Sequence, residues 1–227
     1  MSEDDIVKNE DTLLIFDLDG TLFKTRSTVI PAVKGTLREL GIREVTDEKI
    51  ISLLGETTQD FCEGILEGEE EKIDQFIECF WRYEKKYIEE RGELYKGIKE
   101  MLDKLSFEGF KMAICSNGSE DYIHHVLKKT SIADHFDIIL SSSKYKNKTI
   151  AIEKIIETVN IESLAIMIGD KKHDFDAALE IGILSIGVGY GYGTPHELTK
   201  ADYLVETPSE IPRLISKIVK TWNRGTY

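Results

Sequence analysis

The amino-acid sequence predicts an α/β fold, a parallel-sheet core interrupted after its first strand by a block of helices. Three observations carry that expectation. Short unbroken apolar runs stop abruptly at polar turns, helix-length stretches separate those runs, and residues 25–95 hold helix-length stretches with no strand among them. An apolar run bounded by a turn marks a strand covered on both faces, as in parallel sheets. Strands alternating with helices of about 10–15 residues read as βαβ units.

Leu13-Leu14-Ile15-Phe16 is the first strand and ends at Asp17-Leu18-Asp19-Gly20-Thr21. Helix-length stretches follow at Ile30–Leu40, Asp47–Leu54, Thr57–Leu66 and Glu71–Glu90. This is far more chain than a crossover of a dozen or so residues needs. It therefore reads as an inserted subdomain, residues 25–95, with a core made of residues 1–24 and 96–227. The core resumes with a helix at Gly97–Leu105, a strand at Lys111–Cys115 and a helix at Asp121–Thr130. A short strand at Phe136–Leu140, a helix at Thr149–Val159 and a strand at Leu164–Ile168 come next. A helix at Asp174–Ile181, a strand at Ile183–Val188 and a last helix after Pro212 complete the series.

The 227 residues carry 29 Lys and Arg against 42 Asp and Glu, a formal net charge of −13. That balance repels phosphate backbones and anionic lipid, so neither nucleic acid nor membrane is expected as a partner. No apolar run approaches the roughly 18 residues of a membrane span. Met1-Ser2-Glu3-Asp4-Asp5 is the reverse of a secretory signal, and Cys62, Cys79 and Cys115 have neither metal spacing nor an even count. A cytoplasmic location is expected, with monomer and dimer equally open.

The polar clusters sit at the C-terminal ends of the proposed strands, the edge where open parallel sheets bind ligands. Asp17 and Asp19 lie two residues apart just beyond a buried strand. Asp-Gly is ordinary turn chemistry, yet two carboxylates there are costly without a cation, and a metal would supply one. Ser116-Asn117-Gly118 offers donors to an anion, though it too would serve as a plain turn. Gly169-Asp170 repeats the strand-then-acid pattern, with Asp174 four residues on; a helix starting near Asp170 would put both acids on one face. The bland alternative is an Asp N-cap. Lys144-Tyr145-Lys146-Asn147-Lys148 would by itself be a solvated loop. His173 reads as a solvent-facing helix position, Cys115 as a small buried hydrophobe, and Trp81 to Tyr87 as core packing with a solvated face.

Taken together, Asp17-x-Asp19-Gly20-Thr21, Ser116, a lysine within 144–148 and Gly169-Asp170-x-x-x-Asp174 resemble the motifs of the haloacid dehalogenase superfamily. The resemblance runs from Leu13 to Pro208 and includes Gly187–Gly193 and Ala201-Asp202. It is greatest for the phosphoglycolate-phosphatase-like branch, which implies a Rossmann-like doubly wound core with an inserted helical cap. It also implies an Mg²⁺-dependent phosphatase acting on a small phosphate monoester, such as a phosphoglycolate-like, sugar or nucleotide phosphate. Asp17 would form an aspartyl-phosphate and Asp19 would act as general acid and base. Ser116 and the lysine would hold the phosphoryl group. Asp17, Asp170, the backbone carbonyl of Asp19 and Asp174 would hold the metal. Thr21, Asn117 and Gly118 would bind substrate, joined by Gly55, Glu56 and Thr57 from the Leu54–Thr58 cap loop.

Among the lysines, Lys148 is preferred and Lys146 is the alternative. Asn147 is a good N-cap, which places Lys148 in a first helical turn at the positive end of the dipole. The family's lysine likewise opens the helix before the Gly-Asp strand. A phosphomutase of the β-phosphoglucomutase kind shares cap and motifs and is the second enzymatic reading. A binding or regulatory protein that keeps the fold without turnover is the third, opposed by the intact acids. Asp19 disfavours haloacid dehalogenation and phosphonate hydrolysis, because in the family that chemistry lacks a second motif-one Asp.

Overall fold

The computed structural model describes residues 8–161 and 163–224; the acidic Met1–Asp5 stretch lies outside them. Six strands form one parallel sheet: β1 Thr12–Phe16, β2 Lys111–Ser116, β3 Ile138–Ser141, β4 Leu164–Gly169, β5 Leu184–Val188 and β6 Tyr203–Val205, in the order β3-β2-β1-β4-β5-β6. This is the doubly wound order, which reverses direction between β1 and β4. Strand β6, Tyr203-Leu204-Val205, is not among the strands the sequence predicts. Its three residues are too few to display a period, and pairing with β5 makes them a strand.

The apolar runs of the central strands are continuous because those strands are covered on both faces. Leu14, Phe16, Met112, Ile114, Ile166 and Ile168 point to one face, against α5 (Ile98–Phe107), α6 (Glu120–Thr130) and α10 (Ile211–Trp222). Leu13, Ile15, Ala113, Cys115, Ala165 and Met167 point to the other, against α7 (Lys148–Val159) and α8 (Lys172–Ile181). Side chains alternate across a strand, so two covered faces leave no polar position in it. A four-residue helix, α9 (Pro195–Leu198), precedes β6.

Between β1 and α5 the chain forms α1 (Arg26–Glu39), α2 (Asp47–Ser52), α3 (Thr58–Leu66) and α4 (Ile73–Arg91). They bury their own cluster, including Val33, Leu37, Ile50, Phe61, Ile65 and Phe76. Helix α1 starts four residues before the sequence suggests, with Pro31 inside it. The outgoing and returning stretches run side by side: Lys24 N–H donates to the Glu93 carbonyl (3.0 Å) and Tyr95 N–H to the Leu22 carbonyl (3.0 Å). Among the described residues no helix is long and apolar enough to cross a membrane.

Candidate active site

Phe16 is level with Ile114 of β2 and Ile168 of β4, so the polar residues after these strands meet at one edge of the sheet. Asp17 follows β1 directly, its N–H donating to the Ile168 carbonyl (2.9 Å). Gly20 turns the chain back at φ +85°, and a Cβ there would collide with the Asp170 carboxylate. Glycine removes both obstacles. Gly169 does the same for Asp174, whose carboxylate occupies the space a side chain would fill.

Lys148 opens α7. The Asn147 side chain caps that helix by accepting from Ile150 N–H (3.0 Å), a contact worth about 1 kcal/mol. The Lys148 ammonium is buried, 2.7 Å from Asp17 Oδ1 and 2.5 Å from Asp174 Oδ1. Asp174 is held again by Lys171 N–H on its Oδ2 (3.0 Å). Lys144 instead pairs with Glu120, and Lys146 is exposed.

One ligand atom each from Asp17, Asp170 and Asp174 lie within 4.8 Å of one another. Asp170 is fully buried; Tyr192 N–H donates to its Oδ2 (2.5 Å), but Oδ1 has no hydrogen-bond partner. Burial pushes its carboxyl up to about 7, and the neighbouring Asp174 adds to that. Burial likewise holds the Asp17 carboxyl well above the usual range. Lys148 opposes this shift, and Asp174 and Asp170 reinforce it. Burial lowers the Lys148 pKa, yet Asp17 and Asp174 outweigh it and keep the ammonium above its ordinary value. Three buried carboxylates thus stand around one ammonium, which pairs with two of them, Asp17 and Asp174. An all-oxygen donor set of this kind, with the Asp170 Oδ1 orphaned, suits a hard divalent cation such as Mg²⁺.

Asp19 stands apart from that trio. Its Oδ1 accepts from both Thr25 and Tyr122 hydroxyls, and Ser116 Oγ lies 3.5 Å from its Oδ2. Burial raises its carboxyl while the Thr25 and Tyr122 hydrogen bonds pull it back down. The sequence singled out neither Thr25 nor Tyr122. Tyr122 lies 103 residues from Asp19 and looks like any apolar position of α6.

The β2 turn and the inserted helices meet over this edge. Asn117 Nδ2 donates to the Gly55 carbonyl (2.7 Å), and His173 Nε2 lies 3.1 Å from Glu56 Oε2. His173 is thus half-buried against the insert rather than facing solvent. Gly118 N–H donates to Ser116 Oγ (3.2 Å). Thr57 caps α3 by accepting from Asp60 N–H (3.2 Å) and lines an adjoining cleft rather than the cavity over the acids. Thr21 is not brought to the site: it is fully buried and lines neither space, and its carbonyl accepts from Tyr190.

Comparison with known proteins agrees with this geometry. The chain is 28% identical to a phosphoglycolate phosphatase of Agrobacterium fabrum over 220 residues, covering 90% of this chain and 94% of that one. It is also 28% identical to the pyrophosphatase PpaX of Listeria welshimeri over 211 residues, covering 90% and 96%. A haloacid dehalogenase-like hydrolase from Streptococcus pneumoniae superposes with a TM-score of 0.81 at 25% identity, covering 91% of this chain and 99% of that one. A β-phosphoglucomutase from Clostridium difficile shares the fold, with a TM-score of 0.77 at 23% identity over 95% and 99% of the two chains. The profile of the haloacid dehalogenase-like hydrolases matches residues 14–188, and the chain belongs to that family.

Proposed function

We propose that this chain is an Mg²⁺-dependent phosphatase that hydrolyses a small phosphate monoester through an aspartyl-phosphate. The observation that carries the proposal is Lys148, its ammonium between Asp17 and Asp174 beside the orphaned Asp170 oxygen. Likeness to a phosphoglycolate phosphatase and a pyrophosphatase supports phosphate as the group transferred.

Asp17 attacks phosphorus with a carboxylate oxygen as the ester P–O bond breaks, and the leaving alkoxide takes a proton from Asp19. Water then attacks the aspartyl-phosphate, gives its proton to Asp19, and inorganic phosphate departs. Thr25 and Tyr122 orient Asp19 for both transfers. Ser116 and Lys148 balance the charge of the transferring phosphoryl group. Asp17, Asp170, Asp174 and the backbone carbonyl of Asp19 would hold Mg²⁺, which when bound offsets the repulsion between carboxylates and an anionic substrate.

Residues 25–95 act in this reading as a cap that closes on the core through Gly55 and Glu56 and excludes water. Three buried, unpaired cysteines suit a reducing cytoplasm. Phosphate release from a panel of phosphorylated metabolites, with and without EDTA, tests the proposal. Release that ignores EDTA, or that continues undiminished in Asp17→Asn, would defeat it. Stimulation by a sugar bisphosphate would point instead to a mutase.

A further inference from the structure

The apolar stripe of α4 runs through Ile73, Phe76, Ile77, Phe80 and Ile88, three to four residues apart, and Glu84 occupies its remaining place. Glu84 is only 7% exposed. Among the described residues no hydrogen bond or ion pair reaches its carboxylate. It lines an open cavity of about 100 Å³ between Asp17, Asp19 and Ser116 on the core side and Leu54, Gly55 and Phe80 on the insert side. No Lys, Arg or His lines that cavity.

Helix packing does not account for this residue. Its oxygens find no protein donor and open onto the cavity, whereas a methionine or leucine would fill the stripe without desolvating a carboxylate. Burial pushes the Glu84 carboxyl well above the usual range, and the charge of Asp19 adds to it. The group lacks a partner, and the cavity holds room for several non-hydrogen atoms to supply one.

We propose that Glu84 recognises the leaving group, and that the substrate's alcohol carries a hydrogen-bond donor, a hydroxyl or an ammonium, and no second anion. This rests on the phosphatase reading of the site and narrows it. A leaving group ending in carboxylate or phosphate would bring a second anion into a cavity lined by Asp17, Asp19 and Glu84 and by no basic side chain. The Lys148 ammonium is already shared between two carboxylates, and no other cation lines the cavity to hold it. Phosphoglycolate, after which relatives at about the same identity are named, is therefore a poor fit despite the likeness.

The test is kcat/KM, by phosphate release with Mg²⁺, for ethanolamine phosphate, glycerol phosphate and phosphoglycolate, three esters of similar size. The full chain is compared with Glu84→Gln and Glu84→Met, each checked by thermal melting. The native protein should favour one or both donor esters over phosphoglycolate by tenfold or more. Glu84→Met should cut that preference at least tenfold whichever donor the alcohol carries. An ammonium partner shows as a loss already complete in Glu84→Gln, a hydroxyl partner as a loss confined to Glu84→Met. Native preference for phosphoglycolate, or variants that melt normally yet change all three esters by one factor, would overturn the assignment. Native turnover of p-nitrophenyl phosphate separates the two readings: present without discrimination, only the Glu84 assignment falls; absent, the phosphatase reading falls with it.

Discussion

Lys148 Nζ donates to Asp17 Oδ1 across 2.7 Å, although 131 residues separate the two in the chain. Helix α7 fixes the lysine at its first turn and β1 fixes the aspartate at its end, so two rigid elements set the distance. Positioning of this kind is what transition-state stabilisation requires. Lys148→Met should lower kcat/KM by roughly 10²-fold or more, the scale of losing a preorganised charge. Lys144→Met and Lys146→Met should stay within about threefold, since the first meets Glu120 at the surface and the second is exposed. A collapse in Lys146→Met with Lys148→Met near native would move the phosphate-binding role to the neighbouring loop.

Asp17→Asn should abolish turnover while preserving the fold, because an amide is not a nucleophile. Activity above about a tenth of native, in protein shown by mass spectrometry to be free of deamidation, would rule out the covalent route. Asp19→Asn should be slower by roughly 10²–10⁴-fold, the usual worth of a general acid and base. Its loss should be smaller with p-nitrophenol, a leaving group that needs little protonation. Tyr122→Phe removes one of the two hydroxyls on Asp19 Oδ1 and should cost about tenfold in kcat, within the range for a hydrogen bond to a charged group. Equal losses for good and poor leaving groups in Asp19→Asn would show that Asp19 is not the proton donor.

The carboxyl of Asp170 is pushed up to about 7, above its unfolded value of about 4. Ionising it in the folded protein is therefore unfavourable. The destabilisation is absent below about pH 4, grows as pH rises, and is complete above about 7. Without metal, Tm should fall between pH 5 and pH 8, and Asp170→Asn should flatten that slope. If the ionised site holds Mg²⁺ as proposed, the ion should raise the native Tm at pH 8, by about 2.7 kcal/mol of stability at a hundredfold excess over Kd. Calorimetry in EDTA and in Mg²⁺ checks both. A variant that keeps the full Mg²⁺ stabilisation would remove Asp170 from the metal site.

Much of this was legible in the sequence, and the gaps have physical causes. A strand buried on both faces writes itself as an unbroken apolar run, and the acids that end β1 and β4 stand out against it. Asn147 marked the start of α7 and hence the place of Lys148. Strand β6 went unpredicted, since three apolar residues are too short a run to mark a strand and pairing with β5 makes them one. Tyr122 and Thr25 were equally silent. A tyrosine on a buried helical face reads as core, and its hydroxyl finds Asp19 only once α6 is docked. Thr21 erred the other way: its place in the Asp-Gly-Thr motif suggested substrate, whereas the turn at Gly20 leaves it buried away from the cavity. Glu84 did carry a mark, a charge in an apolar stripe, but the surrounding acidic residues of α4 concealed it.

Two of the contacts between the inserted helices and the core fall on one loop, Asn117 to the Gly55 carbonyl and His173 to Glu56. A hydrogen bond of the first kind contributes about 0.5–1.5 kcal/mol, enough to change the closed population roughly two- to tenfold. Asn117→Ala should therefore raise KM for small metabolites by that factor. His173→Ala should have a smaller effect, because both partners are partly exposed and screened. The two losses should be less than additive when combined, since both contacts act on one loop position through adjacent residues. Initial rates across substrate concentrations separate this from direct contact with the phosphoryl group. If Asn117→Ala lowered kcat with KM unchanged, its amide would act on the transferring group in the transition state, and cap seating would rest on other residues.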